Sequence, residues 1–118
     1  MLPTVLIVDD HDGFRSFART MLEAEGFRVI GDAGDGESGI AAGRRLRPAV
    51  VVLDIHLPDI DGFEVAERLN ELDDPPAVVL VSTRDAESLR RRLATTTARG
   101  FIRKEDLSGA AVAALVAK

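Results

Sequence analysis

Side chains able to handle a phosphoryl group follow short apolar runs of this chain. Asp9-Asp10 follow Val5–Val8, Asp54 follows Val50–Leu53, Ser82-Thr83 follow Val78–Val81, and Lys104 follows Gly100–Arg103. Alone, each has an ordinary role. Asp9-Asp10 could form a turn with Asp12 capping the first helix, Ser82 could be a turn hydroxyl, and Lys104 a solvated charge. Asp54 is harder to dismiss, because a carboxylate ending a fully apolar run starts its loop from the core. Together, Asp9, Asp10 and Asp54 against Lys104 leave two negative charges. Like charges about 4 Å apart repel by roughly 4 kcal/mol at an effective dielectric of about 20. Such a group calls for a divalent cation, and all-oxygen donors suit Mg2+, which binds through one or two carboxylates plus a phosphate. Lys104 and Ser82 then remain to hold an incoming phosphoryl group, with a carboxylate as its acceptor.

The elements that must position these groups alternate in kind. Val5–Val8, Val50–Leu53 and Val78–Val81 are continuous apolar runs, the pattern of strands buried on both faces. Arg28–Ala33 and Gly100–Arg103 are weaker strands. Between them, Phe14, Phe17, Ala18, Met21 and Leu22 form a helical stripe that Gly26 stops. A second helix spans Glu37 to Leu46 and ends before Pro48. A third, about Gly62–Leu72, aligns Val65, Ala66, Leu69 and Leu72. A fourth begins at the cap Asp85, carries Leu89 and Leu93, and frays at Thr95-Thr96-Thr97. A fifth starts near Ser108 and runs through Ala110–Ala117. Five strand–helix repeats predict a parallel sheet covered on both faces, whose functional groups collect beyond the carboxyl ends of its strands.

Composition narrows the class. The 118 residues predict one domain, 1–118, of which 46% is hydrophobic, with a net charge of −5. A chain of this length buries about two-thirds of its unfolded surface and needs no staple. There is no Cys, hence no disulfide, thiolate zinc site or thiol nucleophile. MLPTVLIVDD shows no secretory signal and no run of 18 apolar residues occurs, so the expected setting is cytoplasmic, without membrane contact. Net negative charge disfavours direct contact with nucleic acid.

The stretches VLIVDD (Val5–Asp10), VVVLDIHLPDIDG (Val50–Gly62), VVLVS (Val78–Ser82) and GFIRK (Gly100–Lys104) resemble response-regulator receiver domains of bacterial two-component signalling. The resemblance covers nearly the whole chain. It implies a flavodoxin-like α/β fold, with a five-stranded parallel sheet of order 2-1-3-4-5 and five helices; the handled phosphoryl group then becomes an aspartyl phosphate. In that light Asp54 is the phosphoacceptor. Asp9 and Asp10 hold Mg2+ with Asp54 and the backbone carbonyl of His56. Ser82 and Lys104 bind the phosphoryl group, and Phe101 is the switch aromatic. Pro58 and Asp61-Gly62 match the loop after the acceptor. The implied partners are a histidine kinase or phosphotransfer protein and an output domain or effector. A phosphorylation-linked homodimer is left open. The implied role is a phosphoacceptor rather than an enzyme, with self-catalysed transfer and autodephosphorylation. Phosphorylation would change the surface of the fourth helix, fifth strand and fifth helix.

Three places depart from the family pattern. Glu105 stands where many members have proline, which receivers attached to LuxR-type helix-turn-helix outputs often lack too. Thr97-Ala98-Arg99 replaces a small residue followed by Gly, and Phe101 lacks a tyrosine hydroxyl. Two rivals remain. A haloacid-dehalogenase-type phosphatase shares the Asp-x-Asp-Gly of Asp10–Gly13, but Phe14 replaces its Thr, and Asp73-Asp74 precede a strand where its late acidic loop follows one. A degenerate receiver would bind without phosphorylation, although every acidic, hydroxyl and lysine position is filled. His11 and His56 read as exposed loop residues, with His56 a candidate tuner of acyl-phosphate hydrolysis. Arg90-Arg91-Arg92 reads as the solvated face of the fourth helix or a contact for an acidic partner. Arg44, Arg45 and Arg47 are read likewise.

Overall fold

The computed structural model describes residues 2–84 and 87–117. Its strands are β1 (Thr4–Val8), β2 (Arg28–Ala33), β3 (Val50–Asp54), β4 (Ala77–Ser82) and β5 (Gly100–Arg103). Its helices are α1 (Asp12–Ala24), α2 (Gly36–Leu46), α3 (Gly62–Asn70), α4 (Arg90–Leu93) and α5 (Gly109–Val116). All strand pairs are parallel, in the order β2-β1-β3-β4-β5. This is the expected α/β architecture.

Apart from Thr4, Asp54 and Ser82 at their ends, the central strands are apolar because both their faces are covered. Leu6, Val8, Val51, Leu53, Val78 and Leu80 point to one core, closed by residues of α2 and α3 and by Leu89. Val5, Ile7, Val50, Val52, Val79 and Val81 point to the other, closed by Ala18 and Leu22 of α1 and Val112 of α5. Each such fully buried side chain contributes about 1.5–3 kcal/mol by leaving water. The loops are fixed by caps. Asp35, Asp61 and Ser108 accept the backbone N–H groups of Ser38, Glu64 and Ala111 at the starts of α2, α3 and α5. After α1, Gly26 takes a left-handed φ of 99°, which costs glycine little.

The structure corrects four local expectations. The N-cap of α1 is His11, without a side-chain cap bond, and Asp12 lies in the first helical turn. Phe17 is 56% exposed although it belongs to the apolar stripe, because α1 packs through Ala18 and Leu22. The third helix ends at Asn70, before Leu72, which still packs against the core. The fourth helix is one α-turn preceded by a 3-10 turn at Glu87–Leu89, and Thr95-Thr96-Thr97 are non-helical. Its expected cap, Asp85, lies outside the described residues. Leu89 and Leu93 do face the core. No helix among the described residues is long and apolar enough to cross a membrane.

Candidate functional site

Because β1, β3 and β4 are parallel neighbours, their carboxyl ends open on one rim. Val8 pairs with Leu53, Asp54 with Val81, and Ser82 with Arg103. Asp9, Asp54 and Ser82 are all buried there, and Asp10 is partly exposed. Lys104 opens a 3-10 turn directly after β5 and returns over the rim, its side chain only 12% exposed. It is therefore not a solvated charge. Its Nζ stands 2.6 Å from Asp9 Oδ2 and 3.5 Å from Asp54 Oδ2, and 4.5 Å from the centre of the Phe14 ring. The ring face supplies a weak cation–π partner where water is largely excluded.

The carboxylates are held by backbone donors. The N–H of His11 donates to Asp9 Oδ1 at 2.8 Å, and that of His56 to Asp54 Oδ1 at 3.2 Å. Burial raises the Asp54 carboxyl above the ordinary carboxylate range. The charge of Asp9 adds to the rise, Lys104 and the His56 N–H oppose it, and Asp10 adds a smaller increment. Ser82 Oγ accepts the Arg84 N–H at 3.0 Å, which leaves its O–H able to donate. Phe101 pairs in register with Leu80 and packs half-buried against the core that includes Leu80 and Leu89. By strand alternation it lies on the same face of the sheet as Ser82.

The donor set fits a divalent cation. Asp9, Asp10, His11 and Asp54 each place one ligand atom within 4.8 Å of the others. Asp9 Oδ2 is buried without a hydrogen-bond partner, its contact with Lys104 being an ion pair that lacks hydrogen-bond geometry. A buried acceptor in that condition has capacity left for a cation.

Four residues outside the sequence-predicted set shape this rim. Arg15, 16% exposed, donates to the Asp9 carbonyl at 2.5 Å and pairs with Asp12 and Asp32. Its spacing to Asp12 is the one local signal for it. Asp59 receives the Gly36 and Glu37 N–H groups at 2.7 and 2.9 Å, and these bonds bring its carboxyl down to about 2. Arg92 bonds Asp61 Oδ2 at 2.8 Å and stacks 4.2 Å over Phe63. Arg92 is thus more than a solvated face, whereas Arg90 and Arg91 are exposed as expected. His11 brings Nδ1 to 3.2 and 3.1 Å from Asp9 and Asp10 while its ring stays mostly exposed. His56, Arg44, Arg45 and Arg47 are exposed. Gly62 is packed so closely that a Cβ there would meet the Asp54 carbonyl oxygen and lie 2.7 Å from Ile55 Cα.

The response regulator receiver domain family matches residues 5–115. BvgA of Bordetella pertussis, named for positive transcription regulation of virulence factors, is 39% identical over 106 residues, covering 90% of this chain and 51% of BvgA. The chain thus spans about half the length of that relative. The signal receiver domain of a NarL response regulator from Mycobacterium tuberculosis superposes with a TM-score of 0.89 at 27% identity, covering 98% of this chain and 97% of that one. A chain from the CheX–CheY–BeF3–Mg complex of Borrelia burgdorferi superposes with a TM-score of 0.82 at 30% identity, covering 96% and 85%.

Proposed function

Because the chain belongs to the response regulator receiver family, we propose that its Asp54 accepts a phosphoryl group from a phosphohistidine on a histidine kinase or phosphotransfer protein, or from a small acyl phosphate. The observation that carries this reading is the Lys104 ammonium standing against both buried carboxylates, Asp9 and Asp54, where three parallel strands end. One Oδ of Asp54 attacks phosphorus, and the bond from phosphorus to the donor's nitrogen or oxygen breaks with its electron pair leaving on the donor. Lys104 then pairs with the transferred group, and the Ser82 hydroxyl donates to it. Asp9, Asp10, Asp54 and the backbone carbonyl of His56 would hold Mg2+, which when bound offsets charge on the phosphoryl oxygens. Support for that donor set comes from the four-residue cluster, and the Borrelia complex carries BeF3 and Mg in its own description.

Drawing Ser82 toward the phosphoryl group frees space beside Phe101, on the same sheet face as the single turn of α4. Phe101 moving into it shifts the population of the α4–β5–α5 surface. The chain works as one receiver domain over residues 1–118, a phosphoacceptor with self-catalysed transfer and autodephosphorylation, in a cytoplasmic setting. Its output is transcription control through an effector or an attached output domain, of the LuxR type that Glu105 points to, without nucleic-acid contact by this domain. A phosphorylation-linked homodimer is one form this output can take. Incubation with radiolabelled acetyl phosphate and Mg2+ should label the protein, and Asp54→Ala should abolish the label. Label retained by Asp54→Ala would contradict the assignment.

A further inference from the structure

Among the described residues, His11 is the one imidazole brought into the acidic cluster, and neither packing nor capping accounts for its place. It stands at the N-cap of α1 without a side-chain cap bond, and its side chain is 69% exposed. Yet its Nδ1 lies 3.2 Å from Asp9 Oδ1 and 3.1 Å from Asp10 Oδ1. Its own backbone N–H fixes the same Asp9 oxygen at 2.8 Å, so the imidazole and that carboxylate are oriented by one short turn. An octahedral ion with bonds of about 2.1 Å separates adjacent donors by roughly 3 Å. Both nitrogen–oxygen spacings match edges of such a shell, and Asp54 brings a fourth donor atom within 4.8 Å of the rest.

We propose that Nδ1 of His11 is a direct ligand of the cation held at this rim, which makes the site selective for a first-row transition ion such as Mn2+ over Mg2+. Magnesium is a hard ion served by oxygen donors, whereas an imidazole nitrogen adds affinity along the transition series. A neutral ring with its proton on Nε2 presents the Nδ1 lone pair to the ion and leaves Nε2–H to solvent. This inference deepens the proposed function and rests on the rim being the metal site. An Nδ1–H donating to the two carboxylates gives the same spacings without any role as a ligand, and that is the alternative the experiment must separate.

The full chain is loaded with Mn2+ alone and examined by electron spin-echo modulation, with Mn2+ and Mg2+ affinities measured in parallel. A directly bound nitrogen should modulate the echo, and labelling histidine with nitrogen-15 should change that modulation. It should vanish in His11→Ala and persist in His56→Ala. Mn2+ affinity should fall on the order of tenfold in His11→Ala, with a smaller change for Mg2+. Because His11 makes no side-chain cap bond, the circular dichroism of His11→Ala should match that of the parent. Bound Mn2+ without nitrogen modulation, or modulation that survives His11→Ala, overturns the ligand role and leaves the rim as the metal site. Mn2+ binding that is unaffected by Asp10→Asn and Asp54→Asn overturns the rim itself, and this proposal with it.

Discussion

The carboxylate rim and α4 sit at the same end of the sheet but are built in opposite ways. Asp9, Asp54 and Ser82 extend directly from strands whose side chains are buried on both faces, and all three are buried. Each accepts a backbone N–H from two residues on, and Lys104 after β5 reaches back to the ends of β1 and β3. The α4 segment is one helical turn, far below the length at which a helix is stable by itself. Leu89 and Leu93 anchor it from below, and Arg92 ties it sideways to Asp61 and Phe63. The contrast separates two tasks. Charges that would meet a phosphoryl group are set at the ends of the buried sheet, while the element that would respond rests on few contacts.

Substitutions at the two places should differ accordingly. Lys104→Met leaves two buried carboxylates without their cation and should cost about 3–5 kcal/mol in urea unfolding near neutral pH. Part of that loss should return in acid as Asp54 protonates. Gly62→Ala forces a methyl group against the backbone of Asp54 and Ile55 and should cost about 1–3 kcal/mol. Arg92→Ala removes an exposed ion pair and a ring contact, so about 1 kcal/mol or less is expected, together with faster amide exchange confined to α4. An Arg92→Ala loss as large as that of Lys104→Met would erase the contrast.

The loop from β3 to α3 carries a smaller, pH-dependent version of the same comparison. The Asp54 carboxyl is raised by burial, so its ionised form opposes folding. That cost is absent in acid and grows as pH rises from the ordinary carboxylate range through the raised value. Asp54→Asn should therefore be more stable than the parent at neutral pH, with an advantage that shrinks on acidification through that window. At Asp61, burial alone would raise the carboxyl, but the Arg92 hydrogen bond and the Glu64 N–H bring it below the ordinary range. Its contribution is present above the ordinary range and fades as pH falls through the depressed value. The deficit of Asp61→Asn should accordingly be constant at neutral pH and disappear only in strong acid. Urea midpoints measured against pH would show both trends, and equal slopes for the two variants would contradict the assignment of opposite shifts.

Much of the rim was legible in the sequence because a continuous apolar run shows where a buried strand ends. Asp54 after Val50–Leu53 and Asp9-Asp10 after Val5–Val8 are of that kind, and the parallel topology brings them together. The ties that hold the loops were not legible. Asp59 meets α2 at Gly36, 23 residues earlier, and Arg92 meets Asp61, 31 residues earlier. No local spacing reports such pairs. The length of α4 is not legible, because Leu89 and Leu93 satisfy helical spacing whether the helix has one turn or three. The exposure of Phe17 is not legible either, because periodicity marks the centre of an apolar stripe better than its edge. His11 reads as an exposed loop residue in the sequence; only the turn after β1 shows its ring against both aspartates.

Of three neighbouring aspartates, Asp54 is the one proposed to receive the phosphoryl group. Treating the protein with acetyl phosphate and Mg2+, reducing the acyl phosphate with borohydride and mapping peptides by mass spectrometry would locate it directly. Homoserine at position 54 alone is the predicted result. Homoserine at position 9 or 10, or reduction at none of the three in protein shown to be folded and metal-bound, would contradict it.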